Sequence, residues 1–193
     1  MTAQECLPRM RAMKPHSRIV RRLACGALLA LCAATALPQA PAPLYAVEIV
    51  VFRNGGTIGA LPDDAPAPTD AADDVDATPI ATGKLNAAAA KLRKGGFEVL
   101  AHKAWTQAAT AWDSGHGVST RLLGLGDAID GKISVERGEK LNLRLDLTVR
   151  DGGRRYRINE VRRNLKTGQI QYFDHPAVGV LAIVTPAGAT PTG

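Results

Sequence analysis

The chain has 193 residues and a formal net charge of +6, with 46% hydrophobic and 4% aromatic residues. Residues 1–36 hold six of the 24 basic residues but only one of the 18 acidic residues, so the rest of the chain has a net charge of +1. The positive total is therefore no evidence for a nucleic-acid-binding protein, and the remaining length fits one folded domain.

An export signal is predicted at the N-terminus. Arginines precede Leu23–Ala36, an apolar run of 14 residues that is too short to cross a bilayer core of roughly 30 Å as a helix. Ala34–Ala36 fits the small-residue pattern of a cleavage site. We expect a signal peptide over residues 1–36, with Met13 as an alternative start. The protein would then lie in the periplasm without stable membrane insertion, and an uncleaved anchor is the alternative.

The cysteines bear on how the exported chain is stabilised. All three of them, Cys6, Cys25 and Cys32, lie inside or before this signal. The exported chain would then hold no cysteine and could form no disulfide in an oxidising compartment. Its apolar core alone would have to stabilise the fold.

Charge is unevenly distributed over the rest of the chain. Residues 37–76 have a net charge of −6, and residues 77–193 have a net charge of +7. This asymmetry indicates a positive surface on the folded part, with an acidic segment beside it. An exported protein would offer such a surface to an anionic envelope polymer or an acidic protein. A solvated basic face without a partner is the plain alternative.

Residues 37–193 are expected to form one domain. Val47–Phe52 is apolar on both faces, which is typical of a central strand. Residues 57–83 are rich in proline, aspartate, alanine and threonine, and this composition predicts a disordered acidic loop. The spacing of apolar residues predicts an amphipathic helix over Gly83–Lys94, which begins at a Thr82 cap and ends at two glycines.

The second half of the chain predicts consecutive antiparallel strands. Apolar and polar residues alternate over Leu141–Arg150, so one face of this strand is buried and the other is wet. Strands are also predicted around Ile133–Val135, Tyr156–Val161, Ile170–Tyr172 and Val178–Val184. The expected fold is α+β, a predominantly antiparallel sheet of about six strands with one amphipathic helix packed on one face.

No arrangement of residues predicts catalysis or metal binding. Ser114 lacks the glycine two positions earlier that a nucleophile elbow requires. The histidines outside the signal match no zinc signature, and no cysteine is available to assist them. Asp174 and His175 are sequence neighbours, and a turn-stabilising contact by the aspartate is favoured over a catalytic pair. We therefore expect no enzyme activity, no metal and no cofactor, and a hydrolase that uses Asp174 and His175 is the alternative.

Arginines on the polar faces of the last strands favour ligand binding. A guanidinium holds a carboxylate in a two-point contact, which suits the peptide stems of a cell wall. Trp105, Trp112, Tyr156 and Tyr172 could stack on sugar rings, although strand spacing favours a core position for the two tyrosines. The predicted ligand-binding residues are Arg144, Arg157, Arg162, Arg163, Trp105, Tyr172, Asp174 and His175.

Several motifs together resemble those of one known family. They are Glu48–Phe52, Gly95–Gln107, Gly131–Ile133, and an Arg162-Arg163 pair that leads to Gln171–Leu181. In the order and spacing of these motifs, the chain resembles the CsiV family of exported peptidoglycan-binding proteins. The resemblance implies that peptidoglycan is the ligand and that the protein has no catalytic role.

The resemblance also implies a cellular role. Proteins of that family look like periplasmic factors that promote wall synthesis and maintain cell shape. The resemblance implies that the partner is an outer-membrane lipoprotein activator of a bifunctional penicillin-binding protein. A periplasmic hydrolase and an envelope scaffold that binds only protein remain as alternatives.

Overall fold

The computed structural model describes residues 42–54, 75–151 and 153–188, which all lie within one compact unit. In this part of the chain, strands form two sheets and a helix packs on one of them. The predicted signal peptide over 1–36 and residues 57–74 of the predicted acidic loop lie outside the described residues.

The first sheet has five strands, and its central strand is apolar on both sides. Val47, Ile49 and Val51 of this strand belong to the core between the two sheets, whereas Val50 and Phe52 face the helix. The prediction of a central strand is therefore confirmed. The strands are β1 (Leu44–Arg53), β2 (Ala77–Ile80), β3 (Glu98–Ala108), β9 (Ile170–Asp174) and β10 (Val178–Pro186). They pair antiparallel in the order β2-β3-β1-β10-β9.

The second sheet is built mainly from consecutive hairpins. Its order is β4-β6-β7-β8, and the short β5 also pairs with β6. Neighbours are antiparallel, except that β4 runs parallel to β6. The strands are β4 (Thr110–Ala111), β5 (Val118–Ser119), β6 (Ile129–Arg137), β7 (Leu141–Asp151) and β8 (Arg154–Arg162).

The inner faces of the two sheets share one apolar core. Leu143, Leu145 and Leu147 of β7 are fully buried in the same cluster as Ile49 of β1 and Phe173 of β9. The predicted burial of one face of β7 is therefore confirmed. Burying one such side chain contributes roughly 1.5–3 kcal/mol, so this row of leucines stabilises the sandwich substantially.

The α+β class with mainly antiparallel strands is confirmed, but a single sheet of about six strands is wrong. Two five-stranded sheets pack face to face, and the helix lies on the outer face of the first. Alternation along β7 reveals that one of its faces is covered, yet it carries no information about what covers that face. Here the first sheet covers that face, and the helix does not.

The predicted acidic loop is wrong for its last residues. Residues 77–80 form β2, which pairs with β3 from Ala77 opposite Gln107 to Ile80 opposite Ala104. Just before it, the Val75 backbone N–H donates to the Gly117 carbonyl. Backbone hydrogen bonds to the exposed edge of β3 can order a short segment that buries few side chains, which composition alone does not reveal.

The helix, α1, spans Asn86–Lys94 and packs Leu85, Ala89 and Leu92 against Val50 and other residues of the first sheet. Its predicted end is confirmed, because the Gly95 N–H donates to the Lys91 carbonyl and a left-handed glycine follows. Its predicted start at Gly83 with a Thr82 cap is wrong. The helix begins three residues later, and no side chain of its own first turn caps it.

A carboxylate from β1 replaces the missing cap. The Glu48 side chain accepts hydrogen bonds from the backbone N–H groups of Gly83, Lys84 and Leu85 at 2.8 to 3.2 Å. Its Oε1 also lies 2.7 Å from Nε2 of His102 on β3. Burial raises the pKa of Glu48, but the hydrogen bonds from His102 and the three backbone groups outweigh it and bring the pKa below its usual 4.5.

Glu48→Gln tests this anchor through its pH dependence. A lowered pKa contributes stability in full above the unfolded-state value near 4.5, and that stability is lost as pH falls through the lower folded-state value. At neutral pH we expect Glu48→Gln to cost ~2 kcal/mol of unfolding free energy, because an amide accepts fewer hydrogen bonds. Thermal midpoints should fall less steeply below pH 4.5 in the variant than in the wild type.

The matched control for that series is Glu139→Gln, which changes an exposed carboxylate in the β6–β7 turn. It should keep the wild-type pH profile. If Glu48→Gln also kept that profile, Glu48 would not anchor the helix.

Gly131 of β6 is predicted to tolerate no side chain. Its φ is +130°, and a Cβ there would lie 2.0 Å from the Asp146 carbonyl oxygen on the neighbouring strand. Gly131→Ala should therefore lower the unfolding free energy by about 3 kcal/mol, measured by urea unfolding. Gly83→Ala is the control, because nothing lies within 4 Å of its Cβ position. Equal losses in the two variants would contradict the steric explanation.

Candidate functional site

Two of the predicted binding arginines are held by neighbours. Arg157 makes a two-point contact with Asp146, at 2.9 and 3.1 Å. Arg162 lies 3.2 Å from Glu160 and donates to the Tyr172 carbonyl at 2.7 Å. The prediction of an open row of guanidinium groups is therefore wrong for both, because Asp146 on the paired strand β7 lies beside Arg157, and Glu160 lies two residues before Arg162 on β8.

Arg144 is also paired, with two carboxylates of which one is fully buried. Its Nε donates to Oε1 of the fully buried Glu136 at 2.7 Å, and one terminal nitrogen donates to Asp113 at 2.7 Å. The hydrogen bond to Glu136 is the main cause that raises the pKa of Arg144, and the nearby charges of Glu136 and Asp113 add to it, against the opposing effect of burial. Arg144 thus compensates a buried charge and is poorly placed to leave it for a ligand.

Arg163 differs from the other three arginines. Its guanidinium carbon lies 5.3 Å from the centroid of the Trp112 ring, and that of Arg144 lies 5.6 Å from the same ring. Within the described residues, Arg163 has no carboxylate partner. Trp112 is 38% exposed. We call Trp112, Arg163 and Arg144 the Trp112 surface, and it lies on the outer side of the second sheet.

Trp112 is not one of the eight predicted ligand-binding residues, although it was considered as a residue that could stack on sugar rings. It follows the two-residue β4 in a segment of irregular structure, so no strand or helix period indicated which way it points. Its Cβ packs against Gly138 in the β6–β7 turn, 3.4 Å from where a glycine Cβ would lie. Only tertiary packing brings it to the two arginines.

Trp105 is a core residue, and the prediction that it binds ligand is wrong. Its side chain is 0% exposed between the sheets, and its Nε1 donates to Oε1 of the equally buried Gln107 at 2.7 Å. This hydrogen bond satisfies the indole N–H, which allows complete burial of the ring. No ligand can reach it without unfolding the sandwich.

Tyr172 lies outside the core, contrary to its predicted core position, whereas Tyr156 is buried as predicted. Tyr172 is 44% exposed, and its hydroxyl donates to Oδ1 of Asp174 at 2.7 Å. Partial burial raises the pKa of Tyr172, and the hydrogen bond and charge of Asp174 act in the same direction, while Asn54 opposes them. The phenol therefore stays protonated and oriented at neutral pH.

His175 stabilises the turn between β9 and β10. Its backbone N–H and C=O pair with those of Val178 at 3.1 and 3.2 Å, and its Nδ1 accepts from the Ala177 N–H at 3.2 Å. The ring also lies 5.8 Å from that of Tyr156. The turn was predicted, but the histidine makes the side-chain contact and Asp174 does not.

A cavity of about 300 Å³ lies beside Glu48 on the outer face of the first sheet. Its lining includes the small or apolar residues Ala46, Ile80, Ala104 and Ile183. None of the predicted binding residues lines it. The described residues contain no group of three or more His, Cys, Asp or Glu side chains suited to a metal ion. No helix among them combines the length and apolarity needed to cross a membrane.

His175→Ala is predicted to lower stability more than it alters binding. The change removes a turn hydrogen bond and a ring contact, which should cost about 1 kcal/mol of unfolding free energy. Retention on purified sacculi, the isolated wall polymer, should stay within twofold of the wild type at about this stability loss. A thermal midpoint unmoved by the change would contradict the turn function.

A family model matches most of the part of the chain that the structure describes. The family model described as "Peptidoglycan-binding protein, CsiV" matches residues 71–187, which is more than half of the chain. The match begins after β1, so it does not cover the Glu48–Phe52 motif. No match was found among the curated proteins or among the solved structures. The chain belongs to the CsiV family, whose members are described as peptidoglycan-binding proteins.

Proposed function

We propose that this protein binds peptidoglycan without modifying it, and that the Trp112 surface makes the contact. Family membership supports the ligand. The observation that carries the site is an exposed indole beside Arg163, an arginine with no carboxylate partner in the described part of the chain.

The chemistry of the polymer suits this surface. Peptidoglycan offers sugar rings with apolar faces and stem peptides with free carboxylates. An exposed indole can stack on the former, and a guanidinium fork can hold the latter in two hydrogen bonds. The first atoms of the Trp112 side chain lie beside Gly138, and the Arg144 guanidinium carbon lies 5.6 Å from the centroid of the ring.

Among the described residues, Arg163 has no ion pair to break before it binds. Arg157 and Arg144 would each leave an aspartate or glutamate uncompensated if they turned to a ligand, and Glu136 is fully buried. Removing one member of a buried pair is costly. This difference is the reason for assigning the ligand carboxylate to Arg163.

The hydrolase alternative finds less support. Asp174 accepts the Tyr172 hydroxyl, while Nδ1 of His175 accepts a backbone N–H of its own turn. A general base needs an orienting partner and a nucleophile within hydrogen-bond reach. These two side chains are engaged separately, which favours a non-enzymatic protein.

The cellular part of the proposal follows from the same ligand. The chain would be exported to the periplasm through residues 1–36 and would support wall synthesis and cell shape. Its protein partner would be an outer-membrane lipoprotein that activates a bifunctional penicillin-binding protein. A scaffold that binds only protein is the outcome that a failure to bind peptidoglycan would favour.

Sacculus co-sedimentation tests the site. Trp112→Ala and Arg163→Gln should each weaken retention about tenfold, because each removes one of the two proposed contacts. The matched control is Arg155→Gln, which removes an exposed arginine from the other end of β8, opposite Arg150.

Thermal midpoints of all variants should stay near that of the wild type, which separates lost binding from lost folding. Retention of the Arg163→Gln variant should also fall less steeply with added salt. Equal losses in Arg163→Gln and Arg155→Gln would indicate nonspecific charge attraction and contradict the site. Failure of the wild-type protein to sediment with sacculi would contradict the function.

A further inference from the structure

Three aromatic rings form a second exposed cluster, on the face of the first sheet that carries the helix. Phe52 is buried and packs between two partly exposed rings. Its centroid is 5.6 Å from that of Phe97 in an edge-to-face contact and 6.3 Å from that of Tyr172 in a stacked contact. Phe97 is 37% exposed and Tyr172 is 44% exposed. We call these three residues the Phe52 cluster.

The backbone beneath the cluster is shaped to hold it. Gly179 of β10 lies directly opposite Phe52 of β1. A Cβ at Gly179 would lie 2.3 Å from the Phe52 ring, so the ring occupies the space above the glycine. Such close packing fixes the Phe52 ring, which in turn supports the two exposed rings.

Polar groups border the exposed ring of Tyr172. Its hydroxyl donates to Oδ1 of Asp174 at 2.7 Å. Asn54, which directly follows β1, donates its side-chain amide to the His175 carbonyl at 2.7 Å. Asp174 is exposed, and its second carboxylate oxygen has no hydrogen bond to any described residue.

We propose that the Phe52 cluster, together with Asp174, binds a sugar ring of the glycan strand. This inference rests on the proposed function and names the part of the polymer that a second site recognises. A pyranose has an apolar C–H face, which an exposed aromatic ring can cover, and a rim of hydroxyls, which a carboxylate oxygen can accept. The cluster offers both groups within one small area.

A protein partner is the competing occupant. An exposed apolar patch often marks a protein interface, and Ile170 lies exposed on the same strand two residues before Tyr172. The carboxylate fixed at the rim of the ring favours a hydroxyl-rich ligand, because an apolar interface would leave Asp174 desolvated without a cation. The two occupants predict different effects of changing Ile170.

The Phe52 cluster and the Trp112 surface lie on opposite faces of the sandwich. Tyr172 is on the outer face of the first sheet, and Arg144 is on the outer face of the second. Each site can therefore be tested while the other stays intact. The Phe52 cluster with Asp174 should bind a glycan that has no peptides, whereas Arg163 of the Trp112 surface needs a carboxylate on the ligand.

The experiment is calorimetric titration of the purified protein with chito-oligosaccharide, a soluble polymer of N-acetylglucosamine that has no carboxylate. We expect the wild type to bind and Tyr172→Ala to bind about tenfold more weakly. Tyr172→Phe keeps the ring and should lose less than Tyr172→Ala. Ile170→Ala is the matched control from the same face of β9, and it should bind as the wild type does.

Sacculus co-sedimentation of the same proteins separates this inference from the proposed function. If the wild type sediments with sacculi but does not bind chito-oligosaccharide, the glycan site is wrong and the proposed function stands. Unchanged affinity in Tyr172→Ala would overturn the site as well. An equal loss in Ile170→Ala would overturn it in favour of an apolar docking surface.

Discussion

The buried carboxylate of Glu48 fixes the relation between the helix and the first sheet. Three consecutive N–H groups before α1 converge on this one side chain, which projects from the central strand. His102 on the neighbouring strand completes its hydrogen bonds. Ionised carboxylates that accept several N–H groups are held strongly, so the helix start, β1 and β3 act as one unit. Phe97 of the Phe52 cluster follows the end of the helix after Gly95 and Gly96, so the cluster lies next to that unit.

Several arginines of this fold form ion pairs with carboxylates of the same domain. On the outer face of the second sheet, arginines and carboxylates alternate between neighbouring strands, and pairs such as Arg157 with Asp146 and Arg150 with Asp130 satisfy one another. A net positive composition therefore exposes fewer free cations than the sequence suggests. Recognition of an anionic polymer would rest on the exceptions, above all Arg163, and on exposed aromatic rings beside polar groups.

Much of the fold follows from local sequence, because the spacing of apolar residues along a strand or helix shows which of its faces is buried. The alternation of β7, the two-sided apolar β1 and the glycines after α1 could all be predicted. The division of the strands into two sheets could not be predicted, since alternation shows that one face of a strand is covered but does not identify the layer that covers it. Trp105 and Tyr172 were misassigned for a related reason. Strand spacing tells which residues share a face, but only the packed structure tells which face of β3 or β9 the other sheet covers. The start of α1 escaped prediction because its cap comes from a residue far away in the chain.

The contact between Arg162 and the Tyr172 carbonyl has a consequence for self-association. Strand β9 is an edge of the first sheet, and an edge with free backbone groups is a template on which another chain can add a strand. Here a guanidinium from β8 already occupies an outward carbonyl of that edge, and its charge lies in the path of an approaching strand. A second molecule would have to displace this side chain before it could extend the sheet. Arg162, which is paired within the fold, thus protects the open side of the sandwich against aggregation.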